Sequence, residues 1–315
     1  MNSPFPMNRL LLIAALACTG LTTARLRADT ALQAEQQRHF ATPQEAVKAL
    51  AIAAKANDRV ATHAIFGPDV KELVSGDKKQ DAIEFAAFAK AIGQYAQLVK
   101  VSDDRYMLNI GAQNWPMPIP LVRKDGTWFF DTLAGKDEIV SRRIGEDELT
   151  AIGVCRTYVE AQHEYAAEDR DGSGVLKYAQ KIKSSAGAKD GLFWPASADE
   201  EQSPFGPLVA EARAEGYGPK AAGGSPQPFH GYRFKILTAQ GASAPGGAYS
   251  YVINGNLVAG FALVAYPAHW GESGIMTFIV NQWGKVYECN LGEQSADLAA
   301  AMTEFDPDAS WTAVP

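Results

Sequence analysis

The sequence is poor in cysteine and in basic clusters, and it has no long apolar run outside its first two dozen residues. Only three cysteines occur in 315 residues. The formal net charge is −7, and the Lys and Arg residues are scattered. Because phosphate binding requires a basic patch, nucleic acid is excluded as a partner. No later stretch has the about 20 apolar residues of a membrane-spanning helix, so we expect no transmembrane span in the mature chain.

The sequence also lacks the common catalytic motifs. It has no His-Glu-x-x-His, no Gly-x-Ser-x-Gly and no phosphate-binding Gly loop followed by Lys. These absences argue against zinc proteases, α/β-hydrolases and nucleotide-binding enzymes of the usual kinds. Ser75 and Lys78 match the Ser-x-x-Lys of penicillin-recognising enzymes, but the Lys-Thr-Gly strand that such enzymes need is missing. We attribute this match to chance.

Residues 1–24 have the pattern of a signal peptide. Arg9 supplies a positive charge, a short apolar core follows, and small residues precede a cleavage point after Ala24. We therefore expect an exported, periplasmic protein. The alternative is a lipoprotein attached through Cys18, because Ala15-Leu16-Ala17-Cys18 loosely matches a lipidation box.

The other two cysteines, Cys155 and Cys289, are an even pair in an oxidising compartment. A disulfide between them would close a long loop and stabilise the fold by about 4 to 5 kcal/mol in the chain-entropy model. The alternative is two buried thiols that pack as small hydrophobic groups. The sequence leaves both open.

We predict an α+β protein with a polar lead-in at 25–40 and an N-terminal α+β domain at 41–136. Thr42-Pro43-Gln44-Glu45 has the capping chemistry of a helix start, and a second helix is predicted at 80–93. Predicted strands follow near 94–101, 104–111, 115–123 and 126–132, with Lys124-Asp125-Gly126 as a hairpin turn. This layout is similar to the small cones of nuclear-transport-factor-like and cystatin-like modules.

The second predicted domain, 137–315, is a long helix packed on an antiparallel β-meander. Glu146-Asp147-Glu148 favours a helix start, and Leu149, Ile152 and Val159 are expected to face the sheet. Five β-branched and aromatic runs predict the strands. They read FHGYRFKILT, AYSYVI, VAGFALVAYP, IMTFIVN and KVYECNLG.

Several longer segments of the chain form recognisable motifs. In the second half they are Tyr158–Gln162, Glu164–Ala166, Glu168–Gly172, Asp190–Pro195, Gly231–Phe234, Ala239–Gly241, Gly260–Pro267 and Phe305–Asp308. In the first half they are Phe40–Ala46 and Ile65–Pro68. Together these segments resemble the bacterial exported proteins of domain-of-unknown-function family 2950. The resemblance implies an envelope location and a two-part architecture, and it implies no activity. The C-terminal half has a weaker likeness to pilins and pseudopilins, without their long apolar N-terminal helix.

The loop Asp169-Arg-Asp171-Gly-Ser173-Gly resembles a calcium loop, because oxygen ligands alternate along it. Gln180 stands where such a loop has a bidentate Glu, and a neutral amide should lower the affinity. The alternative is an Asp-rich turn that ends the preceding helix. Ca²⁺ at Asp169, Asp171, Ser173 and Gln180 is the only cofactor that the sequence suggests.

Aromatic residues are the remaining signal. Trp194 and Trp270, each beside Pro or Gly, are candidates for a groove that binds an envelope protein or a glycan. We expect a non-catalytic binding or assembly module.

Two alternatives to a binding module stay open. One is an envelope hydrolase or glycan-active enzyme that uses Glu164, Asp169 and Asp171. The other is a small-ligand carrier with an apolar cavity behind Trp115 and Trp128.

Overall fold

The computed structural model describes residues 37–75, 77–197, 199–215, 217 and 227–315. The predicted signal peptide, Cys18 and most of the polar lead-in lie outside the described residues. The described chain forms two compact units. Unit 1 contains the residues up to Leu73 together with Phe85–Glu138, and unit 2 contains Val74–Glu84 together with Ile139–Pro315. The main division lies close to the predicted boundary, but unit 2 also takes a segment from within the predicted first domain.

From residue 37 onward, three α-helices precede the first sheet: α1 (Pro43–Lys55), α2 (Arg59–Phe66) and α3 (Lys78–Gln94). Helix α1 begins as the capping pattern predicts, because the Thr42 side chain accepts a hydrogen bond from the backbone N–H of Glu45. Helix α2 is capped in the same way by Asp58. A short 3₁₀ helix at Pro68–Leu73 follows α2.

The sheet of unit 1 has the strands β1 (Ala96–Ser102), β2 (Arg105–Ile110), β3 (Trp115–Pro116), β4 (Leu121–Lys124) and β5 (Thr127–Phe130). The strand order is β1-β2-β4-β5, and β3 pairs with β2. The predicted hairpin turn is present: Asp125 and Gly126 have φ of 51° and 81°, as a tight turn between β4 and β5 requires. Leu108, Leu121 and Phe130 are fully buried on one face of this sheet.

Helix α4 (Thr132–Ala166) begins well before the predicted start at Glu146. Ile152 is buried, but Leu149 is 71% exposed, so the prediction that Leu149 faces the sheet is wrong. At 100° per residue, Leu149 lies about 160° around the helix from Ala151. The buried face instead follows Ala151 and Tyr158 and includes the polar residues Asp147 and Gln162.

The main sheet of unit 2 is antiparallel throughout, as predicted. Its strands are β6 (Tyr232–Leu237), β11 (Ala262–Pro267), β12 (Thr277–Asn281), β13 (Tyr287–Cys289) and β15 (Thr312–Ala313), in the order β15-β13-β12-β11-β6. Four of the five predicted runs supply β6, β11, β12 and β13. The run AYSYVI does not join this sheet, and the fifth strand comes from the tail.

Shorter elements of unit 2 surround this sheet. They are α5 (Gly206–Ala214), β7 (Ala239–Gln240), β8 (Tyr249–Ser250), β9 (Val252–Ile253), β10 (Asn256–Leu257), α6 (Ser295–Ala301) and β14 (Glu304–Phe305). Strands β9 and β10 form a small hairpin, and β7 pairs with both β8 and β14.

The two central strands, β11 and β12, are covered on both faces. Tyr158 of α4 donates a hydrogen bond to Ala262 O at 3.1 Å, and α6 packs against β11. Lys235 of β6 donates to Met302 O, just beyond α6. Burial on both faces explains why these strands are continuous apolar runs instead of alternating ones. In the described ranges, no helix combines the length and the apolar character needed to cross a bilayer.

Candidate functional site

Unit 2 contains a cluster of polar and ionisable residues, all buried except the partly exposed Glu84, which we call the acid cluster: Asp77, Gln80, Glu84, Arg143 and Asp147. The first three lie at the start of α3, and the last two lie on α4. Asp77, Gln80, Arg143 and Asp147 are each at most 5% exposed. Charged groups are rarely buried to this extent unless they are paired or neutralised.

Asp147 is the most enclosed acid of the cluster. Gln80 Nε2 donates to its Oδ1 at 2.5 Å, whereas Oδ2 has no hydrogen-bond partner among the described residues. Oδ2 lies 2.7 Å from the position that a Cβ on Gly231 would occupy. Burial, together with the nearby Glu84 charge, raises the pKa of Asp147 to about 8 against the opposing effects of Gln80 and Arg143. The carboxyl therefore retains its proton at neutral pH.

Arg143 and Glu84 form an ion pair, with Nε and Oε1 3.5 Å apart. Burial raises the pKa of Glu84, and Arg143 partly offsets this effect. Arg143 also lowers the pKa of Asp147, so its single positive charge acts on two acids, Glu84 and Asp147. One cation does not neutralise two acids in an enclosed site, which accords with the raised pKa of both carboxyl groups.

Asp77 joins three parts of the chain. Its Oδ1 accepts backbone hydrogen bonds from Lys79 at 2.9 Å and Gln80 at 3.3 Å, which caps α3. Its Oδ2 accepts the Tyr217 hydroxyl at 3.0 Å, and Gln227 Nε2 lies 3.5 Å from Oδ1. The Asp77 carboxylate therefore connects the start of α3 with Tyr217 and Gln227 through hydrogen bonds.

The backbone at His230 and Gly231 brings the chain against Asp147. Both residues have positive φ, 43° and 69°. His230 Nε2 lies 2.8 Å from Glu215 Oε2, and Ser273 Oγ donates to Gly231 O at 2.9 Å. Since Gly231 and Ser273 close over the carboxyl, the acid cluster can hold a proton but offers a substrate no direct approach to Asp147.

Sequence reasoning missed the acid cluster. The predicted catalytic candidates Glu164, Asp169 and Asp171 are exposed at the end of α4 and in the following loop. Asp147 belongs to the acidic triplet Glu146-Asp147-Glu148, whose charge predicts a helix start and not a buried site. The signal that would have revealed it is helical phase, because Asp147 falls on the same face as Ala151 and Tyr158.

The predicted calcium loop is held by its own backbone and by a lysine. Asp169 Oδ2 accepts the N–H of Gly174 at 2.7 Å. Lys177 Nζ lies 2.6 Å from Asp171 Oδ2 and 3.1 Å from Ser173 Oγ. Hydrogen bonds from Lys177 and Ser173 lower the pKa of Asp171 to about 2. Gln180 points elsewhere, since its Nε2 donates to Gly255 O at 2.9 Å.

We expect chelation with EDTA to leave the melting temperature of the wild-type protein unchanged. The ammonium of Lys177 already compensates the charge of Asp171, and a cation would have to displace it. Differential scanning fluorimetry with millimolar Ca²⁺ and with EDTA tests this. A calcium-dependent rise in melting temperature that disappears in Asp171→Asn would contradict the expectation and support the predicted calcium site.

The two predicted groove residues differ in exposure. Trp194 is 5% exposed, and its Nε1 donates to Glu201 O at 3.0 Å. Arg170 and Lys189 lie over its ring, 5.5 and 5.4 Å from the centroid. Trp270 is half-buried, and its Nε1 donates to Asn290 Oδ1. Trp194 is thus part of the core and does not line an open groove.

The two remaining cysteines are free thiols in the structure. Cys155 is fully buried on α4, and burial raises its pKa to about 12. Cys289 is half-buried, and its Sγ lies 3.8 Å from Ser310 Oγ. The sequence left a disulfide and two thiols as alternatives, and the structure has the thiols.

The most exposed aromatic residue of unit 2 is Trp283, in the turn between β12 and β13. It is 73% exposed. Tyr249 and Ile253 are 38% and 51% exposed, and Gln282 Nε2 lies 3.4 Å from the Tyr249 hydroxyl. We call Tyr249, Gln282 and Trp283 the turn surface. Sequence reasoning did not single it out, because the sequence gives no measure of how far each aromatic side chain is exposed.

Comparison with known proteins gives one match. The family model described as "Protein of unknown function (DUF2950)" matches residues 37–314. No curated protein and no solved structure matches the chain. Because the family model covers nearly the whole chain, including both units, the chain belongs to the DUF2950 family.

Proposed function

We propose that this protein is a non-catalytic binding module of the cell envelope and that it contacts its partner through the turn surface. The sequence pattern of residues 1–24 supports the envelope location. The exposure of Trp283 is the observation that carries the binding role. Trp and Tyr are the side chains most enriched in the energetic centres of interfaces.

The backbone of the turn holds Trp283 in place. Its N–H donates to Asn281 Oδ1 at 3.2 Å, and the N–H of Gly284 donates to Asn281 O at 2.9 Å. Gly284 has a φ of 73°, which glycine adopts without strain. An exposed indole on an ordered turn loses little backbone entropy on binding.

The enzyme alternative has weaker support. Acids with raised pKa do converge, as an acid–base mechanism requires. However, Asp147 is 1% exposed and Gly231 lies against its Oδ2. A carboxyl enclosed in this way contacts its neighbours in unit 2, so a structural role has more support than a catalytic one.

The carrier alternative also has weaker support. The predicted cavity would lie behind Trp115 and Trp128. Trp128 is 7% exposed and packs edge-on against Tyr106, with 5.3 Å between the ring centroids. Its ring fills part of the space that a ligand would need.

Co-sedimentation with an insoluble envelope fraction tests the proposal. We expect Trp283→Ala to lower the apparent affinity of the mature protein for this fraction at least about tenfold, since a hot-spot side chain contributes about 2 kcal/mol or more and a factor of ten corresponds to about 1.4 kcal/mol. Leu149→Ala is the matched control, because Leu149 is 71% exposed and lies on α4. Equal sedimentation of wild type and Trp283→Ala, or none by the wild type, would contradict the proposal.

A further inference from the structure

We infer that the turn surface binds a neutral glycan. This inference rests on the proposed function and names the class of partner. It is carried by the charge-free stretch of chain that contains Tyr249, by the exposed aromatic rings and by the neutral hydrogen-bonding groups beside them.

The chain around Tyr249 and Ile253 is free of charge over an unusual length. Residues 236–271 contain no Asp, Glu, Lys or Arg. Part of this stretch is core strand, but most residues between 242 and 256 are exposed or half-buried. On the surface of a soluble protein, about a quarter to a third of the residues are charged. A charge-free exposed stretch therefore suits a partner without charge.

The charged and titratable side chains that reach this region are already engaged. Lys285 places its ammonium over the Tyr287 ring, 5.1 Å from the centroid. Lys177 donates to Asn256 Oδ1 at 3.1 Å and pairs with Asp171. His163 lies 3.4 Å from Gln282 O through its Nε2. These groups offer no uncompensated cationic patch for an anionic ligand.

The exposed groups have the chemistry that a sugar ring needs. Trp283 and Tyr249 present flat apolar rings, on which the C–H face of a pyranose can stack. The Tyr249 hydroxyl and the side-chain amide of the exposed Asn254 are neutral donors and acceptors for sugar hydroxyls, whereas Gln282 Oε1 is buried. Asn254 lies in the turn between β9 and β10.

Other partner classes fit less well. An anionic polymer requires several cations that release counterions. A membrane surface requires a contiguous apolar or basic face. A stable protein partner requires about 800 Å² with an apolar centre, whereas the turn surface exposes two aromatic rings beside neutral polar groups.

Titration with defined oligosaccharides tests the inference. The probes are a hexamer of N-acetylglucosamine, a neutral glucan oligomer and an anionic polygalacturonate oligomer, and binding to the mature protein is measured by calorimetry. We expect at least one neutral probe to bind and the anionic probe not to bind. In Trp283→Ala the affinity should fall at least about tenfold, Trp283→Phe should retain most of it, and Leu149→Ala should leave it unchanged.

The outcomes separate this inference from the proposed function. If no neutral probe binds while Trp283→Ala still loses envelope co-sedimentation, the assignment of a glycan as the partner is overturned and the proposed binding role stands. If neutral probes bind equally to wild type and Trp283→Ala, the assignment to the turn surface is overturned. Equal binding of the anionic and neutral probes would overturn the inference that the partner is neutral. Circular dichroism confirms that each variant is folded.

Discussion

Asp147→Asn is expected to remove much of the pH dependence of stability between about pH 4 and pH 8. The wild-type protein should lose stability steadily over this range as the pH rises. The variant should lose less, and near pH 8 it should be more stable than the wild type by about 2 kcal/mol or more. Asn keeps the acceptor for Gln80 and supplies a neutral N–H₂ in place of the protonated Oδ2.

The sign follows from the raised pKa. In the folded chain the pKa of Asp147 is about 8, against a model value of 3.8. Between these values the folded state holds a proton that the unfolded state has lost. Unfolding then releases a proton, so stability falls as the pH rises, by at most about 1.4 kcal/mol per pH unit for one proton. Glu84, whose pKa is also raised, acts in the same direction.

Urea unfolding at a series of pH values measures this effect. The matched control is Glu146→Gln, because Glu146 is the exposed acid next to Asp147 on α4. Carboxylates with a lowered pKa, such as Asp171 and Asp190, lose their contribution only as the pH falls below about 4. An unchanged pH slope in Asp147→Asn would show that Asp147 is already ionised in the folded state.

Gly231→Ala should destabilise unit 2 by about 4 kcal/mol. Two costs combine. At φ 69° an alanine is strained, and its Cβ would lie 2.7 Å from both Asp147 Oδ2 and Ser273 Cβ. Neither neighbour can move easily, since both are buried. The expected fall in melting temperature is about 10 °C.

Gly271→Ala separates strain from overpacking. Gly271 has a φ of 79°, and nothing lies within 4 Å of its added Cβ. This control should therefore cost only about 1 kcal/mol. Equal melting temperatures for the two variants would contradict the close approach of Gly231 to Asp147.

Much of the fold follows from local patterns in the sequence. Thr42 and the pair Asp125-Gly126 have specific capping and turn chemistry, and the structure uses both as predicted. The runs that supply β11 and β12 are long, apolar and rich in β-branched residues, so they were identifiable as strands. The two-residue strand Thr312–Ala313 carries no periodicity, and its place beside β13 depends on tertiary packing.

The acid cluster depends on contacts that are remote in sequence. Asp77 meets Tyr217 across 140 residues, and Gln80 meets Asp147 across 67. No local sequence pattern predicts contacts between residues so far apart. The exposure of each tryptophan was equally unpredictable from sequence: Arg170 and Lys189 cover the buried Trp194, whereas Trp283 is exposed on a turn.

The segment Val74–Glu84 has a practical consequence for dissecting the protein. It belongs to unit 2, although unit 1 supplies the chain on both sides of it. No single cut can therefore yield two intact fragments. A recombinant piece that starts near residue 137 would keep Asp147, Tyr217 and Gln227 but would lack the carboxylate and the amide that they contact. Adding a peptide of residues 74–84 in trans should restore the hydrogen bonds with Asp77 and Gln80 that the truncated piece has lost, as in fragment complementation.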